Sequence, residues 1–239
     1  MTRINPSPRP LVIVPARGGS KGIPGKNIKP FAGEPLVVRS LAMGAIFAPE
    51  GNLILSTDSE GIARVAREAG FNVPYTRPAE LGGDTVGSRE VMLDVMDWAD
   101  RRGLEYDCVL LLQPTSPLRN EDDVRRTLEA WNPGIDMAVT VAEAACNPYY
   151  DCFETADGFL KVSKGDGLIT RRQDAPKAWQ MNGAVYAITP ASLRAMPMGG
   201  FKRRVAVEMP RERSVDLDSP LDWIIAETIA DRLKNGNGL

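Results

Sequence analysis

The apolar positions of the chain alternate between short continuous runs and longer stretches with helical spacing. A short apolar run predicts a buried strand, and apolar residues three or four apart predict a helix with one side facing the core. The predicted strands are 10–15, 52–56, 71–76, 109–112, 137–141 and 183–188. The predicted helices are 35–47, 59–69, 88–102, 121–131 and 220–233. This alternation predicts a three-layer α/β/α fold with a mostly parallel central sheet, in which 109–112 is covered on both faces.

The alternation stops between residues 143 and 179. Glycines and charged residues surround five aromatic residues there, and Asp157-Gly158 is a typical hairpin turn. The aromatic residues are Tyr149, Tyr150, Phe153, Phe159 and Trp179. They form either a small satellite core or an exposed patch that meets a second subunit. We therefore predict one α/β domain made of 1–142 and 180–239, with 143–179 as an inserted subdomain and a frayed tail at 235–238.

Composition narrows the chemistry of the chain. At 239 residues and 43% hydrophobic, it can bury one substantial core. It has no histidine, which excludes Ser-His-Asp triads, imidazole bases and most zinc sites, so catalysis must rely on carboxylates, Arg or Lys, and a hard metal ion. Cys108, Cys146 and Cys152 are too irregularly spaced for a disulfide framework and suit a reducing compartment. Without an apolar stretch for secretion or membrane insertion, we expect a cytoplasmic protein that binds no membrane.

The segment 16–29 follows the first predicted strand and combines glycine with positive charge. Four glycines between residues 18 and 25 leave backbone N–H groups accessible to an anion. Its polar side chains are Arg17, Ser20, Lys21, Lys26 and Asn27. The pattern fits neither the Walker nor the dinucleotide-binding motif. It is a candidate phosphate site or, with similar weight, a basic surface turn; a net charge of −2 does not fit a nucleic-acid-binding surface.

Two further polar groups follow predicted strands. Residues 56–59, Ser-Thr-Asp-Ser, either contact a ligand or cap the next helix through Asp58 or Ser59. Arg77, with Ser88 at the start of a predicted helix, suits anion binding. Capping by Asp84 or Ser88 explains the second group nearly as well.

Two more groups complete the candidate chemistry. Gln113 lies at the tip of the central strand, in Gln-Pro-Thr-Ser-Pro-Leu-Arg at 113–119, and offers both a donor and an acceptor. Asp216 and Asp218 lie two apart, on one face of an extended segment, as expected for Mg²⁺ held together with phosphates. Alternatively, one of the two caps the final helix. Together with segment 16–29, these groups predict nucleotidyl transfer by positioning and charge neutralisation.

The residues also carry a resemblance to a known family. The chain resembles the acylneuraminate cytidylyltransferases, or CMP-sialic acid synthetases, from residue 11 to about residue 233. The shared motifs are Ala-Arg-Gly-Gly-Ser-Lys-Gly-Ile-Pro-x-Lys-Asn at 16–27, Ser-Thr-Asp at 56–58, Arg-Pro-Ala-Glu-Leu at 77–81, Gln-Pro-Thr-Ser-Pro-Leu-Arg at 113–119, Asn-Gly-Ala-Val-Tyr at 182–186 and Asp-Leu-Asp at 216–218. The resemblance implies a Rossmann-like nucleotidyltransferase that joins CTP to a nine-carbon 2-keto sugar acid, giving the CMP-sugar and pyrophosphate.

The resemblance also implies roles for individual residues. The nucleotide and its phosphates would be held by Arg17, Ser20, Lys21, Lys26, Asn27, Arg77 and Ser88. Arg17, Lys21 and Asp216 would be catalytic, and Asp216 and Asp218 would bind Mg²⁺. The sugar would meet Gln113, Tyr150, Arg172, Gln180 and Asn182. Members of the family form homodimers through the inserted subdomain, which favours the exposed-patch interpretation of 143–179.

Two departures from the family pattern concern the sugar. Many enzymes for N-acetylneuraminic acid have a lysine after a His-Pro pair, where this chain has Asn147-Pro148-Tyr149-Tyr150, and an arginine at the position of Gln180. Arg171 and Arg172 remain available for the sugar carboxylate. The loss of two cations indicates a related acid, such as legionaminic acid or the deaminated acid KDN. Enzymes for pseudaminic acid lack the 113–119 motif. The alternatives are an enzyme for the eight-carbon acid Kdo and a non-catalytic nucleotide-binding regulator.

Overall fold

A computed structural model describes residues 8–83 and 85–234, so the predictions for Asp84 and for the tail 235–238 concern residues outside the described part. The strands are β1 (Pro10–Pro15), β2 (Pro30–Phe31), β3 (Glu34–Pro35), β4 (Leu53–Ser56), β5 (Cys108–Leu112), β6 (Met137–Glu143), β7 (Phe153–Ala156), β8 (Phe159–Val162), β9 (Trp179–Ile188) and β10 (Arg204–Glu208). The helices are α1 (Leu36–Phe47), α2 (Glu60–Glu68), α3 (Ser88–Arg101), α4 (Glu121–Ala130), α5 (Pro190–Ala195) and α6 (Pro220–Lys234).

The central sheet has six strands in the order β10-β6-β9-β5-β1-β4. β1 pairs in parallel with β4 and β5, and β6 pairs in parallel with β10, whereas β9 runs antiparallel to both of its neighbours. The mostly parallel sheet is confirmed. The direction of β9 was not predicted, because a strand buried on both faces has the same apolar pattern in either direction.

Helices cover both faces of the sheet, which confirms the three-layer architecture. Side chains of α1, α2 and α4 pack in one core cluster, and those of α3 and α5 pack in another. A third cluster joins Ile23 and Leu217 to Trp223 of α6. Because Ile23 lies in segment 16–29 and Leu217 lies between the two predicted metal ligands, this cluster brings two candidate groups together.

The predicted strand at 71–76 is wrong. Tyr75 is buried in the core, but the segment is irregular. The backbone N–H of Arg77 donates to Thr57 O (3.0 Å), and no ladder continues along β4 in the described residues. Pro74 and Pro78 lack the N–H groups that a ladder needs.

The inserted segment contains the predicted hairpin. β7 and β8 pair antiparallel across Asp157 and Gly158, which have the positive φ angles (55° and 81°) of a two-residue hairpin turn. Phe159 is 71% exposed and Phe153 is also exposed, so these residues form no satellite core within the described chain. Among the described residues, no helix combines the length and apolar character needed to cross a membrane.

Candidate active site

A cleft of about 360 Å³ lies beyond the carboxyl ends of β1 and β5, where ligands bind in parallel sheets. Ten of the predicted site residues line it, although they are far apart in the sequence. These residues are Arg17, Ser20, Lys21, Lys26, Asn27, Arg77, Ser88, Gln113, Asp216 and Asp218. The structure therefore brings together all the predicted nucleotide and metal residues and one predicted sugar residue.

Hydrogen bonds behind the cleft hold segment 16–29 in shape. The N–H of Gly18 donates to Asp58 Oδ1 (2.9 Å), and the buried amide of Asn27 donates from Nδ2 to Arg17 O (2.9 Å). Ser59, not Asp58, caps α2, since its Oγ accepts from Ile62 N. Asp58 therefore positions segment 16–29, whereas the sequence left open whether it contacts a ligand or caps a helix. Its position directly after β4 was the available signal.

Segment 16–29 also packs tightly against the carboxylate pair. A Cβ atom added to Gly22 would lie 2.0 Å from Asp218 O, so the segment tolerates only glycine at this contact. Lys26 Nζ donates to Leu217 O (2.7 Å) and lies 3.6 Å from Asp218 Oδ1. The cationic segment and the carboxylates therefore form one wall of the cleft.

Arg77 is fixed against the end of β4. Its Nε donates to Ser56 Oγ (3.0 Å) and its Nη2 donates to Ser56 O (2.7 Å), and the side chain is almost fully buried. Burial lowers the pKa of Arg77 from its usual value, whereas nearby Asp58 raises it. Ser88 begins α3, but the N-cap residue is Gly87, so Ser88 is not the cap. Its hydroxyl is at the cleft.

Gln113, Asp216 and Gly183 meet at one point. Gly183 has a φ of 78°, and a Cβ there would lie 3.0 Å from Gln113 Oε1 and 3.2 Å from Asp216 Oδ2. The absence of a side chain lets the backbone of β9 approach both groups. The Asn-Gly pair at 182–183 was the sequence signal for this contact, and its geometric role was missed.

Asp216 has the electrostatics expected of a cation ligand. Its Oδ1 is buried without a hydrogen-bond partner among the described residues. Burial raises the pKa of Asp216, and the neighbouring Asp218 raises it further, while a hydrogen bond from Thr115 and the charge of Lys26 oppose the shift. An unpartnered buried carboxylate oxygen is unfavourable unless a cation binds to it.

Asp218 complements Asp216 in the open part of the cleft. Its side chain is 79% exposed. Neither aspartate caps the final helix, so that alternative is wrong. Ser219 caps α6 instead: its Oγ accepts from Asp222 N (3.4 Å), and Asp222 Oδ2 accepts from Ser219 N (2.7 Å). The donor set of two carboxylates fits Mg²⁺, but the described residues contain no cluster of three or more His, Cys, Asp or Glu for a metal, so substrate phosphates and water would complete the shell.

The other predicted sugar residues do not line the cleft, as far as the described residues define it. Asn182 is buried, with Oδ1 accepting from Thr140 Oγ1 (2.7 Å) and Nδ2 donating to Ser214 Oγ (2.9 Å). Arg172 donates to Ala144 O and Ala145 O. Gln180 is exposed on β9 and Tyr150 is half-buried in the inserted segment. Their contact with a sugar stays a prediction.

Thr115 is a cleft residue to which sequence reasoning gave no role. Its backbone oxygen accepts from Leu217 N (2.9 Å), the residue between the two carboxylates. It therefore ties the 113–119 motif to the carboxylate segment. The motif itself was the signal, but the partner of Thr115 lies about a hundred residues away in the sequence.

Comparisons with known proteins show the family of the chain. A family model described as cytidylyltransferase matches residues 11–225. A CMP-N,N'-diacetyllegionaminic acid synthase of Legionella pneumophila is 28% identical over 93% of this chain and 97% of its own. A pseudaminic acid cytidylyltransferase of Campylobacter jejuni is 36% identical over 74% of this chain and 76% of its own. The structure of a CMP:2-keto-3-deoxy-manno-octonic acid synthetase complexed with CTP superimposes with a TM-score of 0.66 at 17% identity, covering 95% of this chain and 99% of that one.

Proposed function

The chain belongs to the cytidylyltransferase family, and we propose that it activates a nine-carbon 2-keto sugar acid with CTP, releasing pyrophosphate. One observation carries the proposal. Ten residues predicted from separate motifs line a single cleft, and that cleft contains both a cationic glycine-rich segment and a carboxylate pair. A triphosphate needs the first and a divalent cation needs the second.

The chemistry follows from where these groups lie. Arg17, Lys21 and Lys26 neutralise the phosphates, and the N–H groups of segment 16–29 orient them. The anomeric hydroxyl of the sugar acid then attacks the α-phosphorus and loses its proton to water. The bond from the α-phosphorus to the oxygen bridging the α- and β-phosphates breaks, and pyrophosphate leaves with that electron pair. Catalysis of this kind is mainly positioning and charge neutralisation, which fits a chain without histidine.

We propose that Asp216 and Asp218 hold Mg²⁺. The buried, unpartnered oxygen of Asp216 and the exposed carboxylate of Asp218 supply two hard ligands from one side. When bound, the ion would neutralise charge on the phosphates. Lys26 lies 3.6 Å from Asp218, and the backbone oxygen of Thr115 accepts from Leu217 N, so both residues help to orient the carboxylate segment.

The sugar is proposed to lie at the Gln113 end of the cleft. From there β9 leads from Gly183 back to Trp179, at the edge of the inserted segment that contains Tyr150 and Arg172. The relatives named for legionaminic and pseudaminic acid support a nonulosonic acid as the substrate. The second relative weakens the motif-based argument against pseudaminic acid, so that acid belongs among the test substrates.

The function is tested by pyrophosphate release. With CTP and Mg²⁺, the purified protein is expected to release pyrophosphate with at least one acid from a panel of legionaminic, pseudaminic, N-acetylneuraminic, KDN and Kdo substrates. Lys21→Ala should reduce that rate by at least about a hundredfold, because a charge on the phosphates is lost. Release with Kdo alone would favour the eight-carbon alternative. Tight CTP binding without turnover on any acid would favour a regulator.

We also propose a homodimer formed through the inserted segment. The β7–β8 hairpin has only two strands, and such a hairpin is marginal in water unless something covers it. Phe153 and Leu160 lie on one of its faces, and Leu160 is 72% exposed. A second copy packed on this face would bury it and bring Tyr150 and Arg172 near a neighbouring cleft.

Leu160→Asp is therefore expected to dissociate the protein. In sedimentation velocity, the unaltered chain should have twice its 26.0 kDa mass, and the variant should have the mass of one chain. Ile46→Asp is the matched control, since Ile46 is an exposed apolar residue of α1 outside the insertion. A Leu160→Asp variant that remains dimeric, or an Ile46→Asp variant that dissociates, would contradict this interface.

We also propose a cytoplasmic location, because the proposed reaction uses CTP. CTP is made and used inside cells, and a CTP-dependent enzyme must reach it there. The cysteines Cys108, Cys146 and Cys152 are free thiols, which suits a reducing compartment.

A further inference from the structure

A buried arginine lies directly behind the tip of the central strand β5. Arg119 is 6% exposed, and it does not line the cleft as far as the described residues define it. Its guanidinium donates from Nη1 to Gln113 O (2.5 Å) and to Ala184 O (3.2 Å), and from Nη2 to Ser40 Oγ (2.6 Å). One side chain therefore joins the end of β5 to β9 and to α1.

The two carbonyl groups lie where the regular pairing of the sheet is interrupted. The pairing of β5 with β9 ends at Leu112 and Val185, so Gln113 and Ala184 are the next residues beyond this ladder. The pairing of β9 with β6 has a register shift in the same part of β9. A β-bulge leaves backbone groups without ladder partners, and a buried carbonyl group then needs another donor. Arg119 supplies such a donor to both strands.

The position of the Gln113 amide depends on these two strand backbones. Gln113 lines the cleft, and its side chain makes no hydrogen bond to another residue in the described part of the chain. Its Oε1 would lie 3.0 Å from a Cβ atom added to Gly183, the residue before Ala184. The amide therefore packs against the β9 backbone. Because Arg119 holds both Gln113 O and Ala184 O, it fixes the two sides of this contact.

Arg119 also carries a buried charge that no ion pair compensates. Its partners are neutral oxygens, and it forms no salt bridge with a carboxylate in the described part of the chain. Burial and the charge of Arg39 lower the pKa of Arg119 to about 9, while Asp123 opposes the shift, so the guanidinium is charged at neutral pH. A buried charge with only neutral partners is costly for stability. Its hydrogen-bond geometry therefore has to be explained by what it positions.

We propose that Arg119 is a positioning residue that holds the Gln113 amide in place for the sugar acid. The proposal rests on the proposed function only in assigning a sugar acid to the Gln113 end of the cleft. Arg119 acts through the carbonyl groups of Gln113 and Ala184 without touching the substrate. This role needs the planar fork of a guanidinium, because two nitrogen atoms must reach oxygens on three separate elements.

The first test separates the fork from the charge. Arg119→Lys keeps the charge and loses the fork, so kcat/KM for the sugar acid should fall at least about tenfold, with a raised KM for that acid. The Kd for CTP, measured by titration calorimetry, should change by less than about twofold, because Gln113 lies at the other end of the site. Arg119→Lys with the kcat/KM of the unaltered protein would show that only the charge is needed, which overturns the proposal.

Arg204→Lys is the matched control. Arg204 Nη2 also donates to two backbone carbonyls, Met198 O (2.7 Å) and Gly199 O (2.9 Å), and Arg204 is not part of the cleft lining in the described chain. The control should keep the kinetics of the unaltered protein. Should Arg119→Lys fail to fold, Ser40→Ala removes the partner of Nη2 and should lower kcat/KM for the sugar acid about threefold.

A double-mutant cycle tests the route of the effect. In a Gln113→Ala background, Arg119→Lys should lower kcat/KM for the sugar acid by less than about twofold, because the amide that Arg119 positions is absent. An equal loss with and without the Gln113 side chain overturns the proposal, since Arg119 would then act on the protein as a whole.

The last test needs no substrate. In ¹⁵N NMR of the full chain, the side-chain amide of Gln113, identified by its loss in Gln113→Ala, is expected to shift or broaden in Arg119→Lys but not in Arg204→Lys. An amide signal that Arg119→Lys leaves unchanged overturns the proposal. A signal that responds as expected, in a protein that releases no pyrophosphate with any acid of the panel, overturns the proposed function and leaves the positioning role standing.

Discussion

Asp216→Asn is expected to lower turnover by about a thousandfold or more without loss of stability. The change removes a charged ligand from the proposed metal site and keeps the shape of the side chain. Burial raises the pKa of Asp216, so the folded protein disfavours its ionised form. Because neutral asparagine carries no such cost, the melting temperature of the metal-free protein should stay the same or rise.

Asp136 is a contrasting control for this variant. It is also buried, but hydrogen bonds from Arg203 N and Ser192 Oγ lower its pKa to about 2. Its ionised form stabilises the fold above the ordinary carboxyl pKa, and this contribution is lost as pH falls through 2. Asp136→Asn should therefore lower the melting temperature at neutral pH, with a smaller deficit in acid, and keep its turnover. If Asp216→Asn keeps the turnover of the unaltered protein, Asp216 is not a catalytic residue.

Gly183→Ala is expected to cost both activity and stability. The new Cβ would lie 3.0 Å from Gln113 Oε1 and 3.2 Å from Asp216 Oδ2, on a residue with a φ of 78°. The strained backbone should cost about 2 kcal/mol in the free energy of unfolding. Displacement of both polar groups should reduce kcat by at least about a hundredfold, because a misplaced group loses most of its effect. Denaturant unfolding and pyrophosphate release measure the two effects.

Gly199→Ala is the matched control for Gly183→Ala. A Cβ at Gly199 meets no atom within 4 Å. The control should keep its activity and nearly all of its stability. If Gly183→Ala loses stability but keeps wild-type turnover, the contact between β9, Gln113 and Asp216 has no part in catalysis.

Much of the architecture could be predicted because local patterns determine it. The strand of residues 10–15 and the helix beginning at Glu121 follow from apolar period and capping, which depend on neighbouring residues. The strand predicted at 71–76 was wrong because Pro74 lacks the N–H group that strand pairing needs, although Tyr75 in this segment is buried. The direction of β9 depends on the path of the inserted segment, which no local pattern reveals.

The candidate site also contains residues that local sequence patterns predict and residues whose roles depend on distant contacts. Arg17, Lys21 and the Asp216–Asp218 pair could be predicted, because glycine, charge and spacing mark them locally. The roles of Asp58 and Thr115 could not, because each depends on a partner in a distant segment. Tyr150, Arg172 and Gln180 lie outside the cleft lining of the described chain, and their proposed role in sugar binding rests on the proposed homodimer.

The sequence by itself determined the fold class, the cationic glycine-rich segment and the carboxylate pair. Those properties arise from backbone freedom, charge and apolar period along a few residues. Only the tertiary structure decided that Gly183 lets β9 approach both Gln113 and Asp216, and that Ile23 and Leu217 share one cluster. These contacts depend on distances between segments far apart in the chain, and packing of the whole core sets those distances.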